Sequence, residues 1–167
     1  PNMSTSGGGL HCGNGAHLIS GIMHSSWSIV PDFEHCNYAI YFGASKGHGA
    51  GHASTSNMKL AADARVRGMK MVVVDPMCNY ASAKATEWVP VRVGTDGALA
   101  LGLMHELIRN DWLDHDYIAR YTEGWPKLRE RALQWSPERA AEVCGISADE
   151  VRALAQDYAT SKPAAIR

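Results

Sequence analysis

Apolar and polar positions along the chain follow two rhythms. Residues 38–43 form a short apolar run ending at Gly43, too brief for a helix and suited to a buried strand. After a glycine-rich stretch to Gly51, residues 52–67 place Met58, Ala61, Ala62 and Val66 at helical spacing between charges. Gly68 stands where a helix-ending C′ glycine would. Residues 69–74 are again apolar and β-branched, closed by Asp75 and Pro76. Strand, helix and strand within about 35 residues match one right-handed βαβ crossover. A third strand is predicted over 88–93, with Pro90 marking it as an edge or irregular strand. Thr95 or Asp96 is expected to cap a helix over 97–109 whose Leu99, Leu103, Met104 and Leu107 share one stripe.

The rest reads as helical. Helices are predicted over 114–121, 126–134 and 137–143, and another runs to about residue 159, capped by Ser147 with Glu150 at its third position. Residues 161–167 read as a turn and the start of a strand, and the glycine- and serine-rich residues 1–15 as loop. Uninterrupted apolar strands separated by helices imply an α/β fold. Its sheet is mainly parallel, with helices on both faces (Rossmann-like, doubly wound), followed by a helical C-terminal part.

Composition narrows the classes. The chain has 167 residues, 46% hydrophobic and 20% charged, which suits one core-forming domain, 1–167, rather than a disordered segment. A net charge of −1 lacks the basic excess that nucleic acid or an anionic membrane requires, so neither is expected as a partner. No apolar run approaches the roughly 18 residues of a membrane span, so no direct membrane insertion is expected. The four cysteines, Cys12, Cys36, Cys78 and Cys144, form no C-x-x-C pair. Pro1 at the start and an unfinished strand at the end read as cuts, so the chain is expected to be a piece of a longer polypeptide.

Open α/β sheets bind ligands beyond the carboxyl ends of their strands, where loops and helix N-termini expose free amides. Three such handovers occur here. The first strand gives Gly43, Ala44, Ser45, Lys46 and Gly47 within a glycine-rich loop whose amides and lysine suit a phosphate, although such a loop can equally be plain solvent loop. The second gives Asp75, which can accept hydrogen bonds from a ribose or a purine edge, or serve as a turn residue. The third gives Gly94, Thr95 and Asp96, where a capping role and a base-binding role are compatible. There is no G-x-x-x-x-G-K-[ST], so a phosphate-cleaving NTPase is disfavoured. The glycine loop reads G-x-G-x-G rather than G-x-G-x-x-G, and Asp75 follows Gly47 by 28 residues where about 20 is expected of a dinucleotide fingerprint, so an NAD-dependent dehydrogenase is disfavoured. His11 and Cys12 precede a predicted helix among glycines. A thiol there suits a nucleophile or soft-metal ligand, and a lone cysteine is as readily an inert core thiol. His48 and His52 lack a supporting ligand at zinc spacing.

The order of these motifs is similar to that of one family. Residues 70–76 (KMVVVDP), 82–104 (SAKATEWVPVRVGTDGALALGLM), 113–124 and 136–146 together resemble the molybdopterin oxidoreductases of the dimethyl-sulfoxide-reductase-like superfamily. The resemblance implies an internal fragment of a catalytic subunit carrying molybdenum bis(molybdopterin guanine dinucleotide), with an iron–sulfur cluster held by a missing N-terminal part. It implies that the loop from Phe42 to Ala50, residues Asp75, Pro76 and Met77 on to Asn79, and Gly94, Thr95 and Asp96 cradle the guanosine and diphosphate. It also implies that Cys12 ligates molybdenum and that His11 and Asn14 line the adjoining pocket. The sequence departs from the family pattern at Ser45 and Lys46 (for Asn-Pro), Met77 (for Arg), Ala81 and Thr86 (for Thr and Asp) and Val93 (for Pro).

The function implied is a two-electron redox or oxygen-atom transfer on a small substrate, in which sulfur, nitrogen or arsenic is a candidate centre. An iron–sulfur electron-transfer subunit is the implied partner, and the stretch alone is expected to be inactive. The alternatives from the residues themselves are a non-catalytic nucleotide-binding α/β module or, more weakly, an NAD-dependent dehydrogenase domain. Substrate, direction and compartment stay open.

Overall fold

The computed structural model describes residues 17–26, 29, 31–44 and 54–167. The chain divides into two compact units, Pro1–Pro31 and Asp32–Arg167. In the first, helix α1 (Leu18–His24) ends at Ser25, whose left-handed φ of 53° lets its N–H reach the Gly21 carbonyl at 3.1 Å.

The second unit runs β1 (Tyr38–Phe42), α2 (Ser54–Val66), β2 (Lys70–Val74), β3 (Glu87–Val89), α3 (Asp96–Arg109), α4 (His115–Tyr121), α5 (Trp125–Leu133), α6 (Pro137–Cys144), α7 (Ala148–Thr160) and β4 (Ala164–Ile166). Every strand pair is parallel and the order is β3-β2-β1-β4, as the uninterrupted apolar runs predict. The register pairs Phe42 with Val74 and Val74 with Val89, so β1, β2 and β3 finish at one level. From β1 the chain builds outward on one side through β2 and β3, and β4 adds on the other side. The order therefore reverses between β1 and β4, the kind of switch point where such sheets leave a crevice.

Alternation along the strands divides the core in two. Tyr38, Ile40, Val72, Val74 and Val89 meet Leu99 and Leu103 of α3, Ala141 and Cys144 of α6, and Val151, Leu154 and Ala155 of α7. Ala39, Tyr41, Met71 and Val73 point the other way, onto Ala61 and Ala64 of α2 and onto Phe33 and Cys36. Both faces are thus covered, and each fully buried aliphatic side chain contributes about 1.5–3 kcal/mol over an exposed one. On the first face α3 meets α6 closely, because a Cβ at Gly102 would stand 2.6 Å from the Ala140 Cβ.

Local signals account for the ends. Gly68, at φ 111°, closes α2, and its N–H reaches the Arg65 carbonyl at 3.0 Å. Ser147 and Glu150 form the expected reciprocal cap of α7, with the Glu150 N–H donating to the Ser147 hydroxyl at 3.1 Å and the Ser147 N–H to the Glu150 carboxylate at 2.7 Å. The third strand is shorter than predicted. It stops at Val89 because Pro90 has no N–H for the ladder, and it lies at the sheet edge, as Pro90 implied. Val91 stays buried in the core although it is no longer strand. Among the described residues no helix is long and apolar enough to cross a membrane.

Candidate functional site

The flush strand ends bring three predicted segments to one edge of the sheet. At β1, Phe42 is half-buried against the α3–α6–α7 core and its N–H donates to the Arg167 carbonyl at 2.6 Å. The chain then turns at Gly43, where φ is +56° and the N–H reaches the Val74 carbonyl at 2.9 Å. Among the described residues a Cβ there would meet nothing within 4 Å, and the positive φ is what calls for glycine. Ala44 packs beside the α2-side core. Ser45, Lys46 and Gly47 lie outside the described residues, as do His11, Cys12 and Asn14.

The loop after β2 is tied by two side chains. Asp75 Oδ1 accepts from the Met77 N–H at 2.8 Å and Oδ2 from Asn79 Nδ2 at 2.8 Å. Asn79 Oδ1 in turn accepts from the N–H groups of Ala81 at 2.8 Å and Ser82 at 3.1 Å. These are two linked Asx turns. The indole N–H of Trp88, on β3, donates to the Asp75 carbonyl at 2.7 Å and anchors the loop to its neighbour strand. Asp75 thus takes the turn role that its position before Pro76 allowed, while each carboxylate oxygen keeps a lone pair for a ligand. Pro76 and Met77 are exposed beside it.

The third segment leaves β3 through a turn in which the Arg92 carbonyl accepts from the Thr95 N–H at 3.2 Å, with Gly94 at φ 79°. Thr95 occupies the N-cap position of α3, but the expected side-chain cap is absent. Its hydroxyl instead donates backward to the Arg92 carbonyl at 2.6 Å, a competing local acceptor. The Thr95 carbonyl takes the first helical amides, from Ala98 at 2.9 Å and Leu99 at 3.2 Å. The N–H groups of Asp96 and Gly97 precede any intrahelical acceptor and sit at the positive end of a 14-residue helix. Gly97 is exposed, and the half-buried Asp96 carboxylate accepts no hydrogen bond among the described residues.

One edge therefore offers free amides and carboxylate acceptors together. That set suits a ligand with an anionic part and a ring bearing N–H donors, as a purine nucleotide has. Of the three described thiols, Cys36 and Cys144 suit metal less well, since both are buried and burial pushes both up, while Cys78 is exposed. No group of three His, Cys, Asp or Glu that could hold a metal ion stands among the described residues. A cavity of about 900 Å³ lined by Trp112, His115, Tyr158, Lys162 and Ala164 opens where β4 begins, at the opposite end of the strand from this edge. Sequence reasoning missed how Asn79 organises the β2 loop and how Arg92 holds the β3 turn. An Asn two residues before an unpaired amide is a legible Asx signal, whereas the partners of Arg92 lie too far along the chain to read.

The family model described as molybdopterin oxidoreductase matches residues 8–161. The chain belongs to the molybdopterin oxidoreductase family. It is 36% identical over 119 residues to "Probable oxidoreductase YoaE" of Bacillus subtilis, covering 70% of this chain and 18% of that protein. It is 30% identical over 152 residues to the acetylene hydratase of Syntrophotalea acetylenica, covering 91% and 20%. With the molybdopterin-containing thiosulfate reductase subunit PhsA of Salmonella typhimurium the figures are 29% over 155 residues, 93% and 20%. The solved acetylene hydratase from Pelobacter acetylenicus superposes with a TM-score of 0.82 at 30% identity, covering 97% of this chain and 22% of that one. The chain spans about a fifth of the length of these relatives.

Membership in the molybdopterin oxidoreductase family implies a molybdenum–pterin cofactor. The described residues fit the organic part of such a group: among them, the helix amides of Asp96 and Gly97 and the Asp96 carboxylate have no partner, and an added Cβ at Gly43 or Gly94 would meet none of them within 4 Å.

Proposed function

We propose that residues 32–167 form the part of a molybdopterin oxidoreductase that grips the guanosine diphosphate tail of molybdopterin guanine dinucleotide, with Cys12 as the protein's sulfur ligand to molybdenum and His11 beside it. The observation that carries this reading is the level finish of β1, β2 and β3, which gathers Gly43, Asp75 and the Gly94–Asp96 turn on one edge. Asp96 accepts from the N–H edge of the base. The amides of Asp96 and Gly97 take the phosphates, a role the sequence also assigns to Lys46 and Gly47. Asp75, already holding its own loop, offers remaining lone pairs to ribose or base, and Pro76 and Met77 form an apolar rim. When bound, the cofactor supplies two-electron redox chemistry, including oxygen-atom transfer to or from a small sulfur-, nitrogen- or arsenic-centred substrate. An iron–sulfur cluster in an N-terminal part and an iron–sulfur partner subunit complete the electron path in this reading.

Relatives named thiosulfate reductase, sulfite dehydrogenase and trimethylamine-N-oxide reductase support redox chemistry on such centres. The close likeness to a solved acetylene hydratase favours a second reading, addition of water to an unsaturated carbon substrate without net electron transfer. Substrate turnover that persists with no electron donor or acceptor present distinguishes it.

The test is on the full-length protein. Asp96→Asn should weaken retention of guanine nucleotide, measured as GMP released by acid, by about ten- to a hundredfold, the worth of one charge-assisted hydrogen bond. Cys12→Ser should change the metal's sulfur coordination in X-ray absorption. Full guanine content in the Asp96 variant would overturn the cradle, and unaltered absorption in the Cys12 variant would overturn the ligand assignment.

A further inference from the structure

The turn that carries Gly94, Thr95 and Asp96 is held from outside, by the end of a helix about fifty positions further along the chain. Arg92 uses its backbone N–H, its carbonyl and one guanidinium nitrogen for this. Its N–H donates to the Cys144 carbonyl at 2.8 Å, and its carbonyl takes both the N–H and the hydroxyl of Thr95. One guanidinium nitrogen reaches the Glu142 carbonyl at 2.7 Å and the Val143 carbonyl at 3.4 Å. Those are carbonyls of the last turn of α6, which lack intrahelical partners and carry the negative end of the helix dipole. Cys144 adds a contact in the other direction, its thiol lying 3.5 Å from the Thr95 carbonyl, the same oxygen that receives the first amides of α3.

Gly145 completes the clamp. It ends α6 at φ 77°, and a Cβ there would stand 3.0 Å from Arg92 Nε and 3.2 Å from Arg92 Cγ. The Arg92 side chain therefore lies close over Gly145, whose positive φ favours glycine and where a Cβ would make the arginine shift by a few tenths of an ångström. Without this clamp the turn has little else to define it. Gly94 supplies the positive φ of a type II turn, but Val93, at the second position where proline would fix φ, is 84% exposed. Its N–H donates to no group among the described residues.

We propose that Arg92, seated on Gly145, is a positioning residue that sets the Gly94–Asp96 turn for nucleotide binding. This rests on the nucleotide reading above. Arg92 itself is exposed, so its removal spares the core.

The experiment uses the full-length protein freed of cofactor, with GDP as the probe. Arg92→Met should weaken GDP binding about tenfold, as loss of support behind a binding group does. Adding Val93→Pro to that variant should restore most of the affinity, because proline supplies φ at the second turn position without removing a used donor. Met71→Ala, a truncation in the core on the other face of the sheet, controls for general destabilisation: it should lower Tm and leave GDP affinity unchanged. Wild-type affinity in Arg92→Met, or equal weakening in Arg92→Met and Met71→Ala, overturns the proposal. Failure of the double variant to recover overturns it too. If the wild-type protein does not bind GDP, the nucleotide reading itself falls.

Discussion

The two faces of the sheet are covered by different means. On one, α3, α6 and α7 interlock around Leu99, Leu103, Val151 and Leu154, with Gly102 bringing α3 against Ala140. On the other, α2 presents Ala61 and Ala64 to the strands, while its Met58, Leu60 and Val66 are exposed. Small side chains bring a helix close to the sheet but bury little apolar surface. The other face takes its bulk from Phe33, Tyr41 and Met71 rather than from α2. The interlocked face, built by helices, also fixes where α3 begins, hence where the Asp96 turn stands.

The largest effect is expected from truncation on the interlocked face. Leu99→Ala, at a fully buried position, should cost about 2–5 kcal/mol of unfolding free energy, whereas Ala64→Gly on α2, equally buried, should cost about 1 kcal/mol. Denaturant titration of both variants checks this, and equal losses would break the contrast between the faces. Next comes Gly102→Ala. Its new methyl group meets the Ala140 Cβ at 2.6 Å and Val151 Cγ1 at 3.2 Å, and both lie on helix faces rather than on flexible side-chain ends. A loss of about 1–3 kcal/mol is expected from overpacking. A stabilised Gly102→Ala variant, as helix propensity alone would give, would show that the three helices have slack.

How much of this could be read along the chain depends on how far apart the interacting residues lie. The α7 cap needs only Ser147 and Glu150, three positions apart, and it stands where the sequence predicts. The βαβ unit and its parallel pairing follow from two apolar runs and one helical period, all within β1 to β2. The third strand is shorter than the alternation of Val91 and Val93 past Pro90 predicts, because the missing ladder donor outweighs the pattern. At the site, residue types at the strand ends pointed to Asp75 and to Gly94–Asp96, and the fold gathers them. The reversal of the Thr95 hydroxyl was not legible, because it depends on a carbonyl of Arg92 that is itself fixed by α6. Contacts between residues about fifty positions apart leave no periodic trace in a single sequence.

The smallest expected effect tests whether the interlocked face is also electrostatically crowded. Glu87 opens β3, and burial, followed by the charges of Glu150 and Asp157, raises its pKa above the ordinary carboxylate value, with Lys70 pulling the other way. Lys70 stands 3.8 Å from Asp157, so its charge is divided between two carboxylates. A raised native pKa means the folded state holds the Glu87 proton to higher pH than the unfolded chain. Relative to acid, stability is therefore lost as pH rises from the ordinary value through the raised one. Glu87→Gln removes the ionised form and should raise Tm by about 1–2 °C at neutral pH, the scale of a partly exposed substitution. That gain should fade as pH drops below 4.5, the ordinary value, where both states carry the proton. A gain of the same size in acid would mean that the side-chain change acts through packing. In that event α7 meets the sheet without electrostatic cost, and the interlocked face would be the better ordered of the two on every count.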